Sequence, residues 1–165
     1  MSEIKLFAVT GKPIFHSHSP YLFNSFFHKM KMDAIYTRLA AVNSIEALNT
    51  AKAMKLAGLN VTSPYKEEMI KVLDEVDDQA LEVDAVNCIV NHKDRFIGYN
   101  TDVIGATRAL ETNGINPKGR QVAIFGAGGA ARAAAYGMIN TSAKKVILIN
   151  RTDKRAKKIA QQLGC

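Results

Sequence analysis

Apolar and polar positions along this chain follow two periods that take turns, one of two residues and one of three to four. Leu6, Phe7, Ala8 and Val9 form a short apolar run closed by Thr10-Gly11-Lys12-Pro13, which reads as a strand ended by a turn. Ser19-Pro20 then opens a helical pattern carrying Phe23, Phe26, Phe27 and Met30, with a cap residue followed by proline in the first turn. The pattern next predicts a strand over 34–39, a helix over 44–56 ended by Gly58, and a strand over 59–62. Helical spacing over 65–73 and 78–83 precedes two strands, 85–91 and 96–99, joined by the polar turn His92-Lys93-Asp94-Arg95. A helix over 102–113, capped by Thr101 or Asp102, stops at Asn113-Gly114. After the Asn116-Pro117-Lys118-Gly119 turn come a strand over 121–125, a helix from Gly126 to about residue 139, a strand over 145–150 and a helix over 152–163. Strands alternating with helices predict an α/β protein built on a largely parallel sheet, mixed in its N-terminal unit.

Composition narrows the class. The 165 residues are 47% hydrophobic and 22% charged, which excludes a disordered or low-complexity chain. Cys88 and Cys165 make no disulfide scaffold and have no metal-ligand spacing, so no metal is expected. Met1-Ser2-Glu3-Ile4-Lys5 has no basic segment leading into an apolar core, and no apolar run approaches the ~18–20 residues that cross a bilayer; Arg132 breaks the alanine-rich stretch. The expectation is a cytoplasmic protein without a membrane partner.

Charge divides the chain. Lys and Arg outnumber Asp and Glu by 22 to 15, and of the last 48 residues ten are basic and one, Asp153, is acidic. The shift suggests a boundary, with one domain over 1–101 and a second over 102–165. These basic residues flank a glycine-rich turn and are not interleaved with aromatics, which argues against a nucleic-acid partner and for a smaller anion.

That turn is Gly126-Ala127-Gly128-Gly129-Ala130-Ala131, between a predicted strand and a predicted helix. Gly126 allows the tight turn, Gly128 lets backbone approach a pyrophosphate, and the free N–H groups at the helix start face its oxygens. Asn150-Arg151-Thr152 stands where an NAD site places the carboxylate that binds the ribose 2′-hydroxyl. With no acid there, and with Arg151 and Arg155 able to bind a 2′-phosphate, NADP(H) is favoured over NAD(H).

Polar residues cluster where the first-half elements end: Ser17 and Ser19, Asn60 and Thr62, Lys66, Asn87, and Asn100-Thr101-Asp102. Neutral donors and acceptors in such number suit a polyhydroxylated ligand, with the Ser17 and Ser19 hydroxyls holding its carboxylate. Carbonyl reduction needs a proton delivered to the developing alkoxide, and Lys66 beside Asp102 is the candidate pair. Singly, each has a plainer role: Ser19 and Asp102 as helix caps, Lys66 as a surface lysine, Asn60 as a turn residue. His16 and His18 read as loop residues rather than metal ligands.

Taken together, Gly11-Lys12-Pro13-Ile14, His16 to Pro20, Asn60 to Glu67, Ala85 to Cys88, Asn100-Thr101-Asp102, Gly126 to Ala131 and Asn150-Arg151-Thr152 resemble the shikimate dehydrogenase family in order and over the whole chain. The resemblance implies NADPH-dependent reduction of 3-dehydroshikimate to shikimate, a step towards chorismate and the aromatic amino acids. It implies that Ser17 and Ser19 bind the carboxylate, that Asn60, Thr62, Asn87 and Asp102 bind ring hydroxyls, and that Lys66 and Asp102 are the catalytic pair. Gly126, Ala127, Gly128, Gly129, Ala130 and Ala131 are implied to hold the pyrophosphate, and Asn150, Arg151, Thr152 and Arg155 the adenosine 2′-phosphate end. Lys12 and Ser63 depart from the family pattern. A complete Rossmann-type domain has about six strands, and only its first two are supplied here. The expectation is therefore an incomplete cofactor domain with an unpaired sheet edge, a homodimer being one way to complete it. The quinate/shikimate branch, which can use NAD, and a fragment that binds substrate without turnover are the alternatives.

Overall fold

Alternate residues of β1 (Lys5–Gly11) face opposite layers: Phe7 and Val9 pack with α1 (Ser19–Lys29), and Ala8 packs with α2 (Ser44–Ala53). The computed structural model describes residues 4–165; Met1, Ser2 and Glu3, within the stretch read for a leader, lie outside the described residues. β1 is flanked by β2 (Ala34–Ala40) and β3 (Gly58–Val61), both parallel to it. β3 pairs antiparallel with β5 (Cys88–His92), which forms a hairpin with β6 (Arg95–Tyr99). A two-residue β4 (Glu75–Val76) lies parallel to β6, completing a six-stranded mixed sheet in the order β2-β1-β3-β5-β6-β4. Its larger core lies on the α2 side, around Leu56, Leu59, Met69, Ile89 and Phe96.

A separate two-stranded parallel sheet pairs β7 (Gln121–Phe125) with β8 (Lys145–Ile149), joined by α5 (Gly129–Asn140) and followed by α6 (Asp153–Leu163). Among the described residues each of these strands has a partner on one side only, and Phe125 is 80% exposed at the end of β7. Between the two sheets run α3 (Asp78–Val83) and α4 (Asp102–Thr112). Val83, Ala85, Val103 and Ala133 form a small buried cluster that ties α3, α4 and α5 together.

Several local expectations are corrected. Residues 65–73 form a turn and a single 3-10 stretch, Glu68–Lys71, instead of an α-helix. Tyr65 is buried with its hydroxyl donating to the Ala41 carbonyl, and the Lys66 carbonyl accepts the Val86 N–H, so tertiary partners replace helical ones. The second helix ends at Ala53 through left-handed Lys55, leaving Gly58 to start β3. Ser19 makes no side-chain cap bond, and neither does Thr101; Asn100 Oδ1 accepts the N–H groups of Asp102 and Val103 instead. The helix read from Gly126 starts at Gly129, since the first three residues are spent on the turn. Among the described residues no helix is long and apolar enough to cross a membrane.

Candidate active site

The ends of β3, β5 and β6 and the start of α4 converge on one hydrogen-bonded network. Lys66, in the turn after β3, donates from Nζ to Asp102 Oδ2 at 2.6 Å, with the two side chains 16% and 28% exposed. Asp102 is the first residue of α4, where a carboxylate gains from the helix dipole. Its other oxygen accepts from Asn87 Nδ2 at 2.6 Å. Asn87 Oδ1 accepts the Thr101 backbone N–H at 2.8 Å, and Nδ2 also lies 2.9 Å from the Thr101 hydroxyl. The amide of Asn87 is thus committed to holding Asp102 and Thr101.

The network continues to the first loop. Asn60 Nδ2 donates to the Asn87 carbonyl at 3.3 Å, and Asn60 Oδ1 accepts from the Tyr36 hydroxyl at 2.7 Å. Ser17 Oγ donates to Ser19 Oγ at 3.2 Å at the start of α1, beside the same phenol. Burial pushes the Tyr36 hydroxyl well above the ordinary phenol range, with the nearby Cys88 thiol a smaller cause and the Ser19 hydroxyl opposing both. Thr62 is fixed through its backbone N–H, which donates to the Thr10 carbonyl. The peptides Lys12–Pro13 and Ser63–Pro64, either side of this region, are cis. Asn60, Asn87, Asp102 and Lys66 therefore belong to one connected network, with the Ser17–Ser19 pair beside it.

On its other side Lys66 meets the glycine-rich turn. A cleft of about 1250 Å³ is lined by Thr62, Lys66, Ala127, Gly128, Gly129, Ala130, Thr152 and Arg155, among others. Gly126 has φ of +126°, a conformation that L side chains rarely adopt. A Cβ on Gly129 would stand 3.0 Å from Lys66 Cδ and 3.2 Å from Lys66 Cβ, so the bare backbone lets the start of α5 touch the lysine stem. No side chain caps α5, whose N-terminal N–H groups face the cleft mouth unclaimed. Three acids, Glu67, Glu68 and Asp153, also line the cleft; Glu67 lies 3.8 Å from the Arg132 guanidinium and Asp153 is paired with Lys157 at 2.7 Å. These residues fit a dinucleotide carrying an extra phosphate. Arg151 and Asn150 do not line the cleft; Asn150 Nδ2 donates to the Thr152 carbonyl. Among the described residues no group of His, Cys, Asp and Glu is placed to hold a metal ion.

Sequence reasoning missed three contributors. Tyr36 and Arg38 carried a faint signal, two polar residues spaced i, i+2 on a strand. Arg132 stood out only as an interruption of an alanine run; it is buried in α5, with Nη1 3.1 Å from Asp84 and 2.8 Å from Gln162, and Nη2 3.8 Å from Glu67.

Comparison with known proteins places relatives beside this geometry. A family model described as the shikimate dehydrogenase substrate binding domain matches residues 9–89, and one described as shikimate / quinate 5-dehydrogenase matches residues 107–165. The chain is 45% identical over 162 residues to a shikimate dehydrogenase (NADP(+)) of Methanococcoides burtonii, covering 97% of this chain and 59% of that one. The crystal structure of a shikimate dehydrogenase from Aquifex aeolicus superposes with a TM-score of 0.91 at 38% identity, over 97% of this chain and 60% of that one. A shikimate 5-dehydrogenase from Thermus thermophilus, solved in complex with NADP(H) and shikimate, gives a TM-score of 0.86 at 34% identity, over 97% and 61%. The chain thus spans less than two thirds of the length of the relatives it matches.

Proposed function

The chain belongs to the shikimate dehydrogenase family, and from that membership we propose that it carries the substrate site and the pyrophosphate-binding turn of an NADPH-dependent reduction of 3-dehydroshikimate to shikimate. In this reading residues 1–101 form the substrate domain and residues 102–165 the first part of the cofactor domain. The observation that carries it is the position of Lys66, whose Nζ is 2.6 Å from Asp102 while its stem lies against Gly129 at the start of α5. One side chain spans the polar constellation and the dinucleotide turn.

When bound, NADPH supplies the hydride. The Ser17 and Ser19 hydroxyls donate to the carboxylate of the acid, and Asn60 and Thr62 meet its ring hydroxyls. The Lys66 ammonium delivers a proton to the carbonyl oxygen as it gains charge, and Asp102 holds that ammonium in line. Asn87 keeps Asp102 aimed by occupying its second oxygen. The N–H groups at the start of α5 bind the pyrophosphate, and Arg155 with Lys154 meets the 2′-phosphate across the cleft.

Parallel titrations of the protein with NADPH, NADH and shikimate test this reading. Saturable shikimate binding is expected, with NADPH bound at least about tenfold more tightly than NADH through the charge-assisted contacts of one extra phosphate. A folded protein that ignores shikimate, or that binds NADH as tightly as NADPH, contradicts it.

A further inference from the structure

β2 turns two polar side chains, Tyr36 and Arg38, toward the loop between β1 and α1. Arg38 donates from Nε and Nη2 to the Ser17 carbonyl, at 3.1 and 2.6 Å. Tyr36 is 4% exposed, and its ring stacks on Phe23 with centroids 4.4 Å apart and planes 4° from parallel. Its backbone is fixed too: Asn24 Oδ1 accepts the Tyr36 N–H and Asn24 Nδ2 donates to the Tyr36 carbonyl, both at 2.8 Å. The ring is therefore held by its stack on Phe23 and by a fixed backbone before its hydroxyl does anything.

That hydroxyl donates to Asn60 Oδ1 at 2.7 Å, within the substrate constellation, and Arg38 on the same strand holds the Ser17 carbonyl. Phenylalanine would fill the same space without the cost of burying a hydroxyl. The oxygen is needed for what it holds. An asparagine amide has a donor end and an acceptor end of nearly equal shape; the Asn87 carbonyl, which only accepts, takes the donor end of Asn60, and the phenol holds the other end in place. Donation from Tyr36 pins Oδ1 of Asn60 and leaves Nδ2 directed at the Asn87 carbonyl.

We infer that Tyr36 is a positioning residue of the substrate site, a phenol that sets the aim of Asn60, while Arg38 from the same strand fixes Ser17 in the loop between β1 and α1. The inference rests on the assignment of Ser17, Ser19 and Asn60 to the hydroxylated acid. It acts on affinity for that acid and leaves the dinucleotide cleft alone, because neither Tyr36 nor Arg38 lines the cleft.

The test titrates shikimate and NADPH into the wild-type protein and into Tyr36→Phe, Asn60→Ala and the double variant, with thermal unfolding alongside. Tyr36→Phe is expected to weaken shikimate about tenfold, the size of one lost oriented hydrogen bond, with NADPH affinity and the unfolding midpoint held. In steady state KM for the acid rises more than kcat falls. The penalty shrinks in the Asn60→Ala background, because part of it runs through Asn60. Arg38→Gln is expected to weaken shikimate selectively in the same way. Unchanged shikimate affinity in Tyr36→Phe, an equal loss for both ligands, or full additivity with Asn60→Ala overturns the inference while leaving the proposed function standing. If the wild-type protein itself ignores shikimate, the functional reading falls and the inference falls with it.

Discussion

Arg155 and Arg151 look equivalent in the sequence, two basic residues just past a strand, yet only Arg155 lines the cleft. Arg155→Ala should therefore weaken NADPH by about tenfold, the size of a charge-assisted contact, and Arg151→Ala by no more than a few-fold. Fluorescence titration checks this, and the reverse order would mean that the 2′-phosphate lies outside the cleft. Lys66, Asp102, Asn87 and the two serines were legible as polar residues at element ends. Their partners were not: Tyr36 reaches Asn60 across 24 residues of sequence and Asn87 reaches Asp102 across 15. Nothing local in a sequence encodes such pairings, because they exist only once the strands of the mixed sheet have been laid side by side.

Among the elements, all six α-helices were legible, the short α3 and the strand β7 to the residue, although α2 ends earlier and α5 starts later than read, and β4 and the 3-10 stretch were not foreseen. α1, α2, α4, α5 and α6 each carry a full apolar stripe or a clear stop, whereas residues 65–73 copy helical spacing and are pulled into a turn by Tyr65 and Met69, both buried under α2. Asp74 follows that turn and stitches it to β6: its carboxylate accepts the Phe96 N–H at 2.8 Å and the Lys52 ammonium at 3.0 Å. The Phe96 bond first, and Lys52 second, hold the Asp74 carboxyl below the ordinary carboxylate range. A depressed carboxyl contributes stability that is present above the unfolded-state value and is lost as pH falls through the folded one. With the side chain 34% exposed, Asp74→Ala should cost about 1 kcal/mol at pH 7. Urea unfolding across pH should show that gap narrowing below about pH 4, where the unfolded-state carboxyl begins to protonate. A gap that is constant with pH would remove the charge from the explanation.

Across the whole molecule, the two sheets meet through a thin contact. The buried cluster between them is four small side chains, Val83, Ala85, Val103 and Ala133, supplemented by Tyr136 donating to Glu82 and by the Arg132 guanidinium. Arg132 bridges α5 to Asp84 and Glu67 of the first half and to Gln162 of α6, and Glu67 follows Lys66 directly in the chain. Its side chain is 4% exposed, whereas Asp84 and Glu67 are 40% and 46% exposed and regain water when released. Arg132→Met should therefore lower stability by about 1–3 kcal/mol in urea unfolding, less than the loss from breaking a fully buried pair. An unchanged midpoint would mean that the two halves do not depend on this bridge. Of the basic excess of the second half, which the sequence had already linked to a 2′-phosphate through Arg151 and Arg155, Lys154 and Arg155 share a cleft with the glycine turn.

Whether Lys66 joins a hydroxylated acid to a dinucleotide is tested by NADPH oxidation with 3-dehydroshikimate, run for the wild type and Lys66→Ala. Oxidation is expected to depend on 3-dehydroshikimate and to fall by a factor of about 10²–10⁴ in kcat in the variant, the usual worth of a positioned proton donor, while shikimate affinity changes only a few-fold. Turnover by Lys66→Ala at the wild-type rate, or a folded wild type that binds both ligands without oxidising NADPH, would contradict that role.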